Sequence, residues 1–142
     1  MIEKIIDYFK NRITLTEDYK EILADFLGEN ATSYSIETIP TEIILKQYTD
    51  GSSLRQLVFQ LASREHYDES ENQNVRNLEF YEKLQKEIED NNKNGVLPEI
   101  TGIQSIECLN YASIQNVETG SAKYVIQMRI VYLYEDKKEI SQ

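Results

Sequence analysis

A tight turn between two strand-like runs is the feature of this sequence that most constrains the fold. Asp50-Gly51 stands between residues 43–49 and residues 54–64. This dipeptide suits a two-residue hairpin because Gly, and to a lesser degree Asp, adopts positive φ at little steric cost. The returning run alternates, and its apolar face consists of Leu57, Phe59 and Leu61. A slip of one residue would expose that face to water, so the sequence predicts an antiparallel hairpin with a defined register.

Apolar residues at three- and four-residue spacing predict two helices. The first covers residues 2–11. The second begins at a capping-box pattern at residues 70–73 and runs to about Asn92, where Asn94-Gly95 and then Pro98 end it. Its predicted apolar stripe is Val75, Leu78, Tyr81, Leu84 and Ile88. Residues 13–28 fit either extended structure or a short helix.

Further strands are predicted where β-branched and aromatic residues are enriched. One surrounds Tyr34 and Ile36 and ends at Pro40; the others are residues 103–109, 111–117 and 122–134. The last run is about twice the mean strand length, so we expect a central or protruding strand. The order is helix, three strands, helix, two to three strands.

This order predicts an α+β fold in which a mostly antiparallel sheet of five to six strands packs against two or three helices. A single domain is expected over residues 1–142. Within it, residues 136–142 are expected to form a disordered charged tail.

The charge balance limits the classes of function. The chain has 25 Asp and Glu against 15 Lys and Arg, a formal net charge of −10. Nucleic-acid binding through phosphate contacts needs clustered basic side chains, so nucleic-acid binding in general, sequence-specific binding included, is not expected. The longest apolar run, residues 130–134, is too short for a membrane span. The first residues lack the pattern of a signal peptide, and a cytoplasmic protein is expected.

No recognisable catalytic, cofactor-binding or metal-binding motif occurs in the sequence, and no enzymatic activity is predicted. The single histidine, His66, is either a ligand or base among neighbouring acids or a surface residue of an acidic loop, and the second interpretation is favoured. The single cysteine, Cys108, is expected to be a small core residue rather than a reactive thiolate. The five glycines are scattered, which excludes a standard phosphate-binding loop.

Two features are candidates for contact surfaces. Residues 65–90 hold nine acidic and three basic side chains, which indicates either a solvated helix face or an acidic surface toward a partner. The candidate acidic surface consists of Glu65, Asp68, Glu69 and Glu71. Tyrosines recur on one face of residues 122–134, and tyrosine is enriched at subunit interfaces. Core packing is the alternative role for them.

Two segments resemble a family of small phage proteins. These segments are PTEIILKQYTDGSSLRQLVFQLASREHY, residues 40–67, and LPEITGIQSIECLNYASIQNVETGSAKYVIQMRIVYLYE, residues 97–135. They are similar to the minor capsid or tail-terminator family of long-tailed phages of Gram-positive bacteria. Members are sometimes labelled chloramphenicol resistance proteins, but here His66 lies in no recognisable acyltransfer motif.

The resemblance implies a virion structural protein, assembled in the bacterial host cytoplasm. Its subunits would form a ring, usually a hexamer, that caps the tail tube and meets the head-completion protein while DNA passes through the lumen. The candidate interface residues are Thr49, Asp50, Gly51, Ser52, Tyr124, Arg129, Tyr132 and Tyr134. The alternatives are a head-completion or connector protein and, from another class, a small ligand-binding domain or enzyme without a recognisable motif.

Overall fold

The computed structural model describes residues 1–15, 21–25, 27–28, 31–67 and 71–135. Within these residues the fold is α+β, as predicted, with two helices and one sheet of seven strands. The elements in chain order are α1 (Ile2–Asn11), β1 (Ile22–Ala24), β2 (Ser33–Ile39), β3 (Ile44–Gln47), β4 (Ser53–His66), α2 (Glu71–Lys93), β5 (Ile103–Cys108), β6 (Ser113–Glu118) and β7 (Ser121–Tyr134).

The two longest strands, β4 and β7, form a central antiparallel ribbon. They pair along all 14 residues of each strand, from Ser53 opposite Tyr134 to His66 opposite Ser121. The first part of β4 pairs with β3 and its second part pairs with β2, so β3 and β2 lie end to end along one side of the ribbon. On the other side, β5 and β6 lie end to end along β7. The prediction that the last run is a central strand is confirmed.

The sheet has one strand more than the five to six predicted. The additional strand is β1, whose three residues pair in parallel with β2. It lies in the region 13–28, for which the sequence left two structures open, and its three residues are extended. Residues 16–20, 26, 29–30, 68–70 and 136–142, which include the Ser70 cap and the predicted charged tail, lie outside the described residues.

Both helices pack on the same face of the sheet. Phe9 of α1 meets Phe59 of β4 edge to face, and Tyr81 of α2 stacks on Tyr124 of β7. Alternation along the central strands brings the apolar residues of each to this face, where they form one core. The most deeply buried of them are Tyr34, Ile36, Phe59, Leu61, Tyr124, Ile126, Met128 and Ile130.

The predicted stripe of α2 is correct except at its first residue. Tyr81, Leu84 and Ile88 are buried, whereas Val75 is 49% exposed. Six residues of α-helix correspond to a rotation of about 240°, so Val75 lies about 120° away from Tyr81 around the helix. The residue that continues the buried stripe toward the start of the helix is Asn77, at 7% exposure. No helix in the described residues is long and apolar enough to span a membrane.

Candidate assembly surfaces

The exposed apolar side chains are concentrated at two edges of the sheet. Among the described residues, eleven large apolar side chains are exposed, and eight of them fall in residues 43–48 and 109–117. These eight are Ile43, Ile44, Leu45, Tyr48, Leu109, Tyr111, Ile114 and Val117. Clustered exposed apolar residues of this kind mark interaction sites in soluble proteins.

The first edge, which we call the arm, is residues 43–48 and contains β3. The arm pairs with β4 on one side only; the Ile43 carbonyl accepts a hydrogen bond from the Gln56 amide at 2.8 Å. Ile43, Ile44 and Leu45 are 57%, 45% and 42% exposed. On the outer side of the arm, no strand is paired with it in the described residues. The arm therefore presents apolar side chains and free backbone groups together.

The predicted hairpin turn follows the arm. Gly51 has φ +92°, and the Asp50 carboxylate accepts hydrogen bonds from the Ser52 amide, at 2.9 Å, and the Ser52 hydroxyl. The Ser52 hydroxyl and amide thereby hold the pKa of Asp50 below its ordinary value. Thr49, Asp50 and Gly51 are exposed, as a contact site requires, but Ser52 is buried within the turn.

The second edge, which we call the β6 edge, is residues 109–118. All six residues of β6 are exposed, and in the described part of the chain β6 pairs only with β7. Tyr111 is 79% exposed and Val117 is 50% exposed. The sequence pattern did not reveal this edge, because its apolar residues resemble those of a buried strand.

The arm and the β6 edge lie at opposite ends of the central ribbon and on opposite sides of it. The arm pairs with β4 at residues 53–55, and this part of β4 faces residues 132–134 of β7. The β6 edge pairs with β7 at residues 121–125, at the other end. One molecule thus carries two different uncovered edges, placed diagonally.

Four of the candidate interface residues lie on β7 and occupy different environments. Tyr124 is fully buried, and its hydroxyl donates to the Asn74 Oδ1 at 2.6 Å. Its prediction as an interface residue is wrong, because it lies in the middle of the sheet beneath α2. Tyr132 is half-buried against the core, and Tyr134 is 42% exposed with its ring 3.8 Å from the Arg55 guanidinium.

The fourth residue, Arg129, lies on the face of the sheet that the helices do not cover. Its Nε donates to the Glu107 carboxylate at 2.7 Å. On the same face, the Lys123 ammonium and the Gln60 amide reach the Glu37 carboxylate at 3.3 and 2.6 Å. Burial raises the pKa of Glu37, but these groups and the Ser35 hydroxyl together hold it below its ordinary value. Arg129 and Lys123 are thus paired with acidic side chains of the same molecule.

The predicted acidic surface is wrong at Glu65. This side chain is 6% exposed and faces the helices, because it shares the buried face of β4 with Phe59 and Leu61. Burial raises its pKa, and a hydrogen bond with Ser63 offsets part of that rise. Asp68, Glu69 and the side chain of Glu71 lie outside what the structure describes.

The single histidine and the single cysteine, residue types that often serve in catalysis or metal binding, lie in different parts of the sheet. His66 is exposed at the end of β4, whereas Cys108 is half-buried in β5. Burial, together with the Glu89 and Glu107 carboxylates, raises the pKa of the Cys108 thiol to about 12. Among the described residues, no group of three or more His, Cys, Asp and Glu side chains is placed to hold a metal ion.

A groove of about 690 Å³ lies where the start of α1 approaches the end of β7. Its walls are Met1, Lys4, residues 99–102 and residues 132–135. The groove is open to solvent, and Lys4, Tyr132 and Tyr134 are among the residues that line it. Sequence reasoning missed it, because its walls come from three separate parts of the chain.

The sequence matches no protein-family model, and comparison with curated proteins gives no significant match either.

Proposed function

We propose that this chain is a structural protein of a long-tailed phage, a tail-terminator or tail-completion subunit that forms a ring. The observation that carries the proposal is the pair of uncovered apolar edges at opposite ends of the central ribbon. The resemblance of residues 40–67 and 97–135 to the phage family supports the particular kind of assembly. Both edges fall within those two segments.

A closed ring needs two different surfaces on each subunit, since every contact joins one surface to the other surface of a neighbour. The arm and the β6 edge supply two such surfaces. A single self-complementary patch would instead favour a two-fold dimer. The diagonal placement therefore favours a ring over a dimer, and a hexamer is the size that the resemblance implies.

The net charge agrees with a ring through which DNA passes. A chain with 25 acidic and 15 basic side chains offers little attraction to phosphates. Three basic side chains on the uncovered sheet face, Arg64, Lys123 and Arg129, lie next to acidic partners. A lumen lined by this protein would let DNA move without gripping it. The partners expected are the tail-tube and head-completion proteins.

Electron microscopy of phage particles that lack this protein tests the role. Overlong tails, or heads and tails that fail to join, are the expected result. Tails of normal length that remain unjoined to heads would favour the alternative, a head-completion or connector protein. Normal infectious particles at normal yield would contradict both roles.

A small-ligand-binding domain is the second candidate, favoured by the groove beside Tyr132 and Tyr134. Its volume falls within the usual range for ligand pockets, about 300–1,000 Å³. A screen of metabolites by thermal unfolding, repeated on Tyr134→Ala, tests this candidate. A stabilising ligand whose effect disappears in the variant would support it, and a screen without any stabilising compound would count against it.

A further inference from the structure

We propose that neighbouring copies of this chain join edge to edge, with the outer side of the arm in one copy pairing with the outer side of the β6 edge in the next. The occupant of each edge is thus a second copy of the same chain. This inference deepens the proposed function and rests on it, since it names the contact that would build the ring.

The backbone provides the first reason. An edge strand presents a row of unpaired N–H and C=O groups, and proteins usually cover or blunt such edges. In the described residues β1 and β5 are edge strands too, but β1 has only three residues, and the Ile106 amide of β5 donates to the Asn92 Oδ1 of α2. No outer strand pairs with β3 or β6 in that part of the chain. Strand addition satisfies both rows at once by main-chain hydrogen bonds. Pairing an arm with a β6 edge would therefore complete both edges.

The side chains provide the second reason. Four large apolar residues are exposed on each edge, so a contact between the edges buries apolar surface from both copies. Each edge carries only one formal charge, Lys46 in residues 43–48 and Glu118 in residues 109–118. Two copies, each with a net charge of −10, repel each other in most orientations. An arm with charge +1 meeting a β6 edge with charge −1 avoids that repulsion.

The position of the edges provides the third reason. They lie at opposite ends and on opposite sides of the β4–β7 ribbon, so a copy that uses its arm on one neighbour keeps its β6 edge free for another. The same contact can then repeat from copy to copy. Repetition of such a heterologous contact generates either a closed ring or an open filament.

A mixing experiment with two charged variants tests the contact. The arm variant carries Ile44→Lys and Leu45→Lys, and the β6 variant carries Ile114→Lys and Val117→Lys. All four residues are exposed in one copy, so the fold should be retained, which circular dichroism and thermal unfolding would verify. Val75→Lys, at a residue of similar exposure on α2, is the matched control. Molar mass is measured by light scattering and sedimentation across a concentration series.

The wild-type chain and the control should form a multimer, and each variant alone should associate at least tenfold more weakly. An equimolar mixture of the variants should form a dimer and nothing larger, because only one intact arm and one intact β6 edge remain to pair. A mixture that stays monomeric, a single variant that assembles normally, or a monomeric wild type would overturn the contact. Should a double variant fail to fold, Leu45→Lys and Val117→Lys singly replace it.

The outcomes separate this contact from the phage role. A wild type that assembles while the variants also assemble would mean that copies join through other surfaces, and the ring proposal would stand. Normal particles in the absence of the protein would contradict the phage role even if the edges pair in solution.

Discussion

The carboxyl group of Glu65 lies in the core beside the hydroxyl of Ser63, two residues earlier on the buried face of β4. One oxygen of Glu65, Oε2, is buried without a hydrogen-bond partner among the described residues. A buried carboxyl with one oxygen unpartnered favours its neutral form, which explains why burial raises its pKa although the bond with Ser63 lowers it. Glu65 thus couples stability to pH.

We expect Glu65→Gln to stabilise the protein at pH 7 by about 1–3 kcal/mol, because Glu65 in the core costs either a buried charge or the uptake of a proton, and the amide avoids both. The folded-state pKa is raised above the unfolded value near 4.5. Glu65 is therefore neutral in both states below that value, and its penalty grows as the pH rises from the unfolded-state pKa to the folded-state pKa, above which it is constant. The advantage of the variant should shrink toward pH 4. Urea unfolding between pH 4 and 8, with exposed Glu79→Gln as control, measures it; a pH-independent difference would contradict the prediction.

Gly102→Ala should destabilise the protein more than Gly120→Ala. Both glycines have φ +80°, so both substitutions bring the strain of a left-handed alanine, about 1–2 kcal/mol. A Cβ at Gly102 would also collide with the Leu133 carbonyl, whereas a Cβ at Gly120 meets open space. The collision should add about 1–3 kcal/mol. Equal free energies of unfolding for the two variants would contradict the prediction and show that the backbone near Gly102 shifts to relieve the collision.

Cys108 should react slowly with thiol reagents in the folded protein. Burial, with Glu89 and Glu107 nearby, raises its thiol pKa to about 12, and the thiolate is the reactive form. At pH 8 we expect labelling to be at least about a hundredfold slower than in denaturant, where the thiol has its ordinary pKa of about 8.5. Following labelling with a chromogenic disulfide in both conditions measures this, and comparable rates would contradict it.

Tyr8→Phe should weaken the attachment of α1 to the rest of the fold. The Tyr8 hydroxyl donates to the Val96 carbonyl at 2.8 Å and accepts from the Asn91 amide at 3.2 Å. Loss of the hydroxyl leaves both partners short of a hydrogen bond, which should cost about 1 kcal/mol. Tyr111→Phe, at a side chain 79% exposed, is the matched control and should cost nothing measurable. Denaturant unfolding of both variants decides between these outcomes.

Local rules predicted the parts of the fold that depend on neighbours in sequence. The turn at Asp50-Gly51, helix α1 and the alternation of β7 follow from residue types within a few positions of each other. The short strand β1 does not, because its parallel pairing with β2 depends on chain segments that meet only in the folded state. Val75 was misplaced because apolar character alone does not fix the angle around a helix.

The candidate site was harder to predict, because exposure depends on where the helices end. Tyr124 and Tyr134 share one face of β7, yet α2 buries the first and leaves the second 42% exposed. The sequence predicts Glu65 on the surface because it begins a run of residues, 65–90, with nine acidic and three basic side chains, yet the alternation of β4 turns it toward the core. The apolar residues of β6 have the composition of a core strand, and only the sheet order shows that β6 is an uncovered edge.

One of the two central strands, β7, is the last of the seven described strands along the chain. It pairs with β4, β5 and β6, and its contacts with β4 join residues that are at least 55 positions apart, as between His66 and Ser121. During synthesis, β4, β5 and β6 therefore cannot pair with β7 until β7 has left the ribosome. Contacts between distant residues slow folding to milliseconds or longer. The nascent chain thus passes through a stage in which the edge of β4 that faces β7 is unpaired. The sheet is completed only when β7 pairs with it.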